Sequence, residues 1–267
     1  MVRVGLVGCG TIGTQLALAV QRTYRRTARI TALHDVEITH ARTLQQRLVS
    51  HPPLTTLPQL LQRSDLVLEA ASATIAGRVA AQALSAHRDV LIMSTGGLLM
   101  DRTWRRALAR SRGRLYVPSG ALAGVDGIKA LAVGRIRRLS LTTSKPPAAL
   151  MGAPFARRRG LRLSRLLRPT VIFNGSPSQV VKAFPQNTNI AATLAIAAAS
   201  SATPRIRVVA DPSLRVNRHE LTIEADSGTI HCRIESRPSA NPKTSELAVR
   251  SAVATLGRIF GQLQIGT

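Results

Sequence analysis

Val2-Arg3-Val4-Gly5-Leu6-Val7-Gly8-Cys9-Gly10-Thr11-Ile12-Gly13 decides how this chain is read. An apolar, β-prone run enters Gly-x-Gly-x-x-Gly, and a helical pattern (Leu16, Leu18, Ala19, Val20) follows at once. Strand, glycine turn and helix in this order form a dinucleotide-binding fingerprint. Gly8 permits the tight turn out of the strand. Gly10, lacking a Cβ, lets a pyrophosphate approach the backbone. Gly13 lets the helix pack close to the strand, so that its first N–H groups, at Thr11 and Ile12, face the phosphates. The competing reading is a glycine-rich turn in some other α/β protein.

Working outward, Arg29 to Asp35 reads as a second strand ending in an acid. Asp35 lies about 20 residues past the last glycine, where a carboxylate accepts hydrogen bonds from the adenosine ribose. Its charge repels a 2′-phosphate, so NAD is favoured over NADP. Asp35 can equally cap a following helix, Val36 to Val49; the glycine loop upstream favours the ribose. Leu57 to Arg63 reads as a short helix and Leu66 to Glu69 as a third strand. Ala71 and Ser72 follow at its carboxyl end, where open α/β sheets bind ligands. Helix Ala76 to Ser85, strand Asp89 to Ser94, helix Asp101 to Arg112 and strand Arg114 to Val117 complete the alternation. The fold class expected is α/β, a Rossmann-type doubly wound parallel sheet.

Pro118-Ser119-Gly120 breaks the alternation. Beyond it come a helix (Ala123 to Val133), a strand (Arg138 to Thr143) stopped by Lys145-Pro146-Pro147, and a surface excursion over residues 152 to 168. Then follow a strand (Thr170 to Phe173), a turn at Asn174-Gly175, helices Ser178 to Ala183 and Asn187 to Ser200, a strand (Ile206 to Val209), and a hairpin, His219 to Ala225 with Thr229 to Glu235. A helix from Thr244 to Phe260 closes the chain. Clustered strands with few crossovers predict an α+β domain for substrate and dimerisation. The expected division is 1–119 for the dinucleotide and 120–243 for the substrate, the closing helix, 244–260, packing back on the first domain.

The charge is anomalous: Lys+Arg number 37 against 13 Asp+Glu, a net of +24. Such an excess attracts polyanions, and Arg157 to Arg168 holds a local cluster. Aromatic residues are only 3%, so stacking platforms for single-stranded nucleic acid are scarce. A general bias towards Arg accounts for most of the charge, and a nucleic-acid or other polyanion partner is the weaker reading. Cys9 and Cys232 lack metal-ligand spacing and form no disulfide framework. No apolar run is long enough to span a bilayer, and no signal-peptide pattern appears, so a cytoplasmic protein is expected.

Strand periodicity separates two of the six histidines. His231 shares a face with Arg233 and Glu235, the solvated side. His219 shares one with Leu221 and Ile223, which puts it in a core or on a cleft wall. Asn187 either caps a helix or serves a site. Asn241, Lys243 and Thr244 surround another helix start, either a capped helix after a proline-bounded loop or a carboxylate site.

Almost end to end, the chain resembles the L-aspartate dehydrogenases. The resemblance runs through Gly8 to Gly13, Glu69-Ala70-Ala71-Ser72, Pro118 to Gly124, Lys145-Pro146-Pro147, Phe184 to Asn189, Ala210-Asp211-Pro212, Asn217-Arg218-His219-Glu220 and Asn241 to Ser245. It implies oxidation of L-aspartate with NAD or NADP to iminoaspartate, which hydrolyses to oxaloacetate and ammonia or feeds NAD biosynthesis. It implies His219 as the active-site residue, Ala123 and Asn189 as contacts to the dinucleotide, and a homodimer. Imidazoles titrate near neutral pH, so His219 suits proton transfer or activation of the water that attacks the imine. Asn241, Lys243 and Thr244, with Asn187, are the candidate partners of the substrate carboxylates. Where the family usually has Arg before Lys-Pro-Pro, this chain has Ser144, and a region often acidic in the family carries the Arg cluster. The competing readings are a related reductase for another small carboxylate and a basic polyanion-binding protein on the same fold.

Overall fold

The opening stretch forms β1 (Val2–Val7), buried from Val4 onward, and α1 (Thr11–Thr23), which buries Gly13, Leu16, Ala17 and Val20 on one stripe. The computed structural model describes residues 1–185, 189–199, 201–237 and 245–266. The chain divides into two units, Met1–Pro118 with Val249–Gln264 and Ser119–Ala248 with Ile265–Thr267.

In the first unit, β2 (Ala28–His34), α2 (Ile38–Arg47), α3 (Leu57–Gln62), β3 (Leu66–Glu69), α4 (Ala73–Ser85), β4 (Asp89–Ile92), α5 (Gly96–Met100), α6 (Thr103–Arg110) and β5 (Leu115–Tyr116) follow α1. The strands pair in parallel in the order β2-β1-β3-β4-β5. All four residues of β3 are buried, as a strand covered on both faces requires. The doubly wound expectation is thus met. Helix α2 is shorter than expected, and its N-cap is Glu37, not Asp35. Helix α5 has no sequence signal, because five residues cannot display an amphipathic period. Its position depends on close packing: a Cβ on Gly97 would lie 2.4 Å from the Ala73 carbonyl oxygen.

The second unit contains α7 (Val125–Val133), β6 (Ile136–Lys145), α8 (Pro154–Arg158), β7 (Thr170–Gly175), α9 (Pro177–Ala183), α10 (Asn189–Ala197), β8 (Arg205–Ala210), β9 (Asn217–Ala225) and β10 (Thr229–Ser236). Its mixed sheet has the order β10-β9-β6-β8-β7. β6 is longer than its alternating core, running to Lys145; Pro146, which has no N–H to donate, ends it. Asn174-Gly175 is not a turn but the end of β7, where the two residues pair with Arg207 and Ile206 of β8. Neighbouring strands override the local turn preference there.

The final helix, α11 (Glu246–Phe260), buries Val249, Ala252 and Leu256. Ala252 and Leu256 lie in one core with Leu16 and Val20 of α1, the Tyr24 hydroxyl donates to the Val253 carbonyl at 3.1 Å, and the Tyr24 and Phe260 rings lie 5.3 Å apart. Leu256→Ala is therefore expected to destabilise the first unit by about 3 kcal/mol through lost burial and a cavity. Trp104, the single tryptophan, is buried in the same unit, so urea unfolding followed by its fluorescence reads the effect. An unchanged midpoint would show that α11 does not support that unit.

Candidate active site

In the first unit the glycine loop has the stereochemistry of an anion cradle. Gly8 has φ +93°, and a Cβ on it would lie 2.6 Å from the Ala71 nitrogen, so the loop packs against the turn after β3. A Cβ on Gly13 would lie 1.8 Å from the Gly8 carbonyl oxygen. A Cβ on Gly10 would meet nothing within 4 Å, so this glycine faces open space. Gly10 is the N-cap of α1, offers no side chain to its N–H groups, and the first turn holds no acid. A pyrophosphate fits those features: the helix end attracts negative charge, and Gly10 leaves room beside it.

Two carboxylates shape the rim. Asp35 accepts from the Cys9 N–H at 2.6 Å and from the Glu37 N–H at 2.8 Å. It thereby ties the glycine loop to the end of β2 and orders the approach to α2, in place of the capping role. Burial, reinforced by the Asp35 charge, pushes the Cys9 thiol up to about 12, so it stays protonated. Glu69, fully buried, accepts from the Ala71 N–H at 2.9 Å and the Ser94 N–H at 3.0 Å, clamping the turns after β3 and β4. Burial raises its pKa, opposed by those hydrogen bonds. Sequence reasoning gave Glu69 no role; the available signal was a carboxylate closing an otherwise apolar strand. Ala71 and Ser72 are exposed beside it, Ser72 as the N-cap of α4.

The second unit carries a different chemistry. On β6, Leu139, Leu141, Thr143 and Lys145 share one face by alternation. Thr143 pairs with His219 of β9, and the Thr143 hydroxyl lies 3.0 Å from His219 Nδ1. His219 pairs in turn with Ile234, and Asn217 with Ser236. Thr143, Lys145, His219, Asn217 and Ser236 are all buried, so the sheet face turns from apolar to polar at the carboxyl end of β6. Ser236 Oγ has no hydrogen-bond partner among the described residues. A narrow recess here is lined by Thr143, Lys145, Val180, Phe184, Ile190 and Val208.

Burial, followed by the charge of Lys145, pushes the His219 imidazole down to about 3. The expectation of titration near neutral pH is therefore corrected: His219 is a neutral imidazole, because the charged form cannot be solvated there. Burial likewise lowers the Lys145 ammonium to about 8. Sequence reasoning treated Lys145 as part of a strand stop.

Ala123 is exposed just before α7, and Asn189 is exposed at the first position of α10; the two helices pack against each other. Ser144 alternates to the face opposite Thr143 and Lys145 and pairs with Arg218, whose guanidinium binds Glu235 at 2.8 Å. The departure from the family at this position thus leaves the His219 face unchanged. His231 is exposed, on the solvated face as expected. Arg157, Arg158, Arg159, Arg162, Arg165 and Arg168 are all exposed. Asn187, Asn241, Lys243 and Thr244 lie outside the described residues. No helix among the described residues is long and apolar enough to cross a membrane.

Residues 126–259 match the family described as "Aspartate dehydrogenase, C-terminal", and residues 8–118 match "Homoserine dehydrogenase, NAD binding domain". The chain is 41% identical to an L-aspartate dehydrogenase of Methanosarcina barkeri and 37% identical to one of Methanocaldococcus jannaschii, each alignment covering 100% of both proteins. Among solved structures it is similar in fold to an aspartate dehydrogenase from Thermotoga maritima, with a TM-score of 0.73 and 23% identity over 100% of both chains.

Proposed function

Because the chain belongs to the L-aspartate dehydrogenase family, we propose that it oxidises L-aspartate to iminoaspartate with NAD. The observation that carries this reading is the buried, neutral His219, hydrogen-bonded to Thr143 beside the Lys145 amino group, at the polar end of an apolar sheet face. With Nδ1 engaged by Thr143, Nε2 is the ring nitrogen left to hydrogen-bond the substrate's amino group. Asn241, Lys243 and Thr244, with Asn187, are the candidates for its carboxylates.

Gly8, Gly10, Gly13 and the N–H groups of Thr11 and Ile12 would hold the pyrophosphate, Asp35 the adenosine ribose, and Ala71, Ser72, Ala123 and Asn189 other parts of the dinucleotide. When bound, the nicotinamide supplies the hydride acceptor. The exposed Glu37 adds a second acid close to Asp35, so a 2′-phosphate meets two negative charges. Residues 1–119 serve the dinucleotide and 120–243 the substrate. The enzyme acts in the cytoplasm as a homodimer, and its product feeds pyridine nucleotide synthesis.

The test is reduction of NAD and, separately, of NADP by the purified protein with L-aspartate, D-aspartate or L-glutamate. Turnover confined to L-aspartate is expected, with kcat/KM about tenfold or more higher for NAD, a difference of about 1.4 kcal/mol. Turnover with L-glutamate but not L-aspartate would overturn the substrate, and a preference for NADP would overturn the role of Asp35.

A further inference from the structure

We propose that Lys145 is the group that takes the proton from the substrate's α-ammonium, an inference that rests on the reading of the site as one for L-aspartate. Composition makes this residue unusual. Of the 37 Lys and Arg residues only four are lysines: Lys129, Lys145, Lys182 and Lys243. A chain that uses arginine for nearly every cation has lysine at the buried position beside the imidazole. Arginine stays protonated at any working pH, whereas a desolvated lysine can give up its proton.

Placement follows from strand register. Thr143 lies opposite His219 and Ser144 opposite Arg218, so the next step sets Lys145 level with Asn217. Lys145 is therefore the diagonal neighbour of His219 on one sheet face, within reach of a long side chain. It lines the recess together with Thr143 and Phe184. The row it continues holds two other buried polar residues, Asn217 and Ser236, the latter with a hydroxyl that has no partner among the described residues.

The surroundings decide which group takes the proton. Among the described residues, the titratable neighbours on and just beyond the packed strands are His219 and Asp211, whose carboxylate accepts from the Ser213 N–H and hydroxyl at 2.9 and 2.6 Å. On the packed helices α9 carries Lys182, which is exposed, and α10 carries no charged residue. The charged residues of β10, Arg233 and Glu235, are exposed on the opposite face. Lys145 titrates at about 8 and His219 at about 3, so a proton entering this cluster resides on Lys145. In the step itself an N–H bond of the α-ammonium breaks and an N–H bond forms on the neutral Lys145 amine. The electron pair left on nitrogen becomes the second C–N bond as the Cα hydride departs. The product nitrogen is an iminium, and Lys145 later returns its proton to water.

The experiment compares wild type, Lys145→Met and Lys145→Arg in L-aspartate oxidation from pH 6 to 10, and follows the lysine 13Cε resonances of the cofactor-free protein. Wild-type kcat should rise with pH through about 8. Both variants should lose roughly 10²- to 10⁴-fold in kcat, with no such rise. Arginine should fail although it keeps the charge, and NADH affinity should be unchanged. One lysine resonance, absent in Lys145→Met, should titrate near 8 while exposed lysines titrate near about 10.4. That measurement needs no turnover, and Lys145→Arg, which removes the same resonance, serves for its assignment should Lys145→Met not fold. All lysines titrating near the exposed value would overturn the proposal, as would Lys145→Arg keeping kcat while Lys145→Met loses only KM, the signature of carboxylate binding. A wild-type protein that does not oxidise L-aspartate would overturn the functional reading first and this proposal with it. An active wild type with a fast Lys145→Arg overturns the proposal alone.

Discussion

His219→Ala is expected to lower kcat for L-aspartate about 10²-fold or more, because the reacting nitrogen loses the group that positions it. NADH affinity should stay within a factor of two or so, since the glycine loop and Asp35 belong to the first unit. Burial holds the imidazole's pKa well below neutrality, at about 3, so the loss should be the same at pH 7 and pH 9. This separates a positioning hydrogen bond from a titrating base. Thr143→Val tests the same idea one step back. It removes the hydroxyl 3.0 Å from Nδ1 while keeping the shape, and a loss of about tenfold is expected from an imidazole free to turn. If His219→Ala retains kcat within a few-fold, the assignment of His219 fails. If it loses kcat and its thermal transition together, His219→Asn, smaller in its disturbance of packing, decides between the two causes.

Gly13→Ala should have the largest effect in the other unit. Its Cβ would lie 1.8 Å from the Gly8 carbonyl oxygen and 3.0 Å from its carbon. Backbone, not a flexible side chain, would have to move, so the whole turn from Gly8 to Gly13 must shift. Overpacking of this kind costs about 1–3 kcal/mol, readable as a lower urea midpoint by Trp104 fluorescence. A displaced loop should also weaken NADH binding by about 10²-fold, or about 2.7 kcal/mol. Gly10→Ala is the informative partner, since its Cβ meets nothing within 4 Å. Its stability should match wild type while NADH binding weakens, because the added methyl occupies the space the pyrophosphate needs. Unaltered NADH binding by Gly10→Ala would show that the phosphates do not approach there.

Local signals suffice wherever the deciding physics lies between residues close in the chain. The glycine spacing, the alternation of strand and helix and the period-2 face of His219 are all of this kind. They establish the first unit's parallel sheet and put His219 in a core or on a cleft wall, where it is buried. The same local rules misjudged Asn174-Gly175, which pairs in β7 instead of turning, and could not see α5, a helix too short to carry a period. They also assigned Asp35 to a ribose or a helix cap. The carboxylate is in fact shared between two backbone N–H groups, and its free lone pairs remain for a ribose.

What only the tertiary structure decided concerns residues far apart in sequence. Thr143 and His219 are 76 positions apart, and their contact exists because β6 pairs with β9 in one particular register. That register turns Lys145 from a strand stop into a buried neighbour of the imidazole. Desolvation by everything packed over the sheet then lowers the proton affinity of both groups, a property of the assembled environment that no residue type or spacing contains. Glu69 is the same case in the first unit, an end-of-strand acid whose work is to hold two turns that meet only once β3 and β4 pair. The sequence by itself determined the frame and the fingerprint of the cofactor, because those depend on local backbone geometry. The site's protonation states and its buried lysine were decided by folding, because they depend on which distant side chains exclude water from one another.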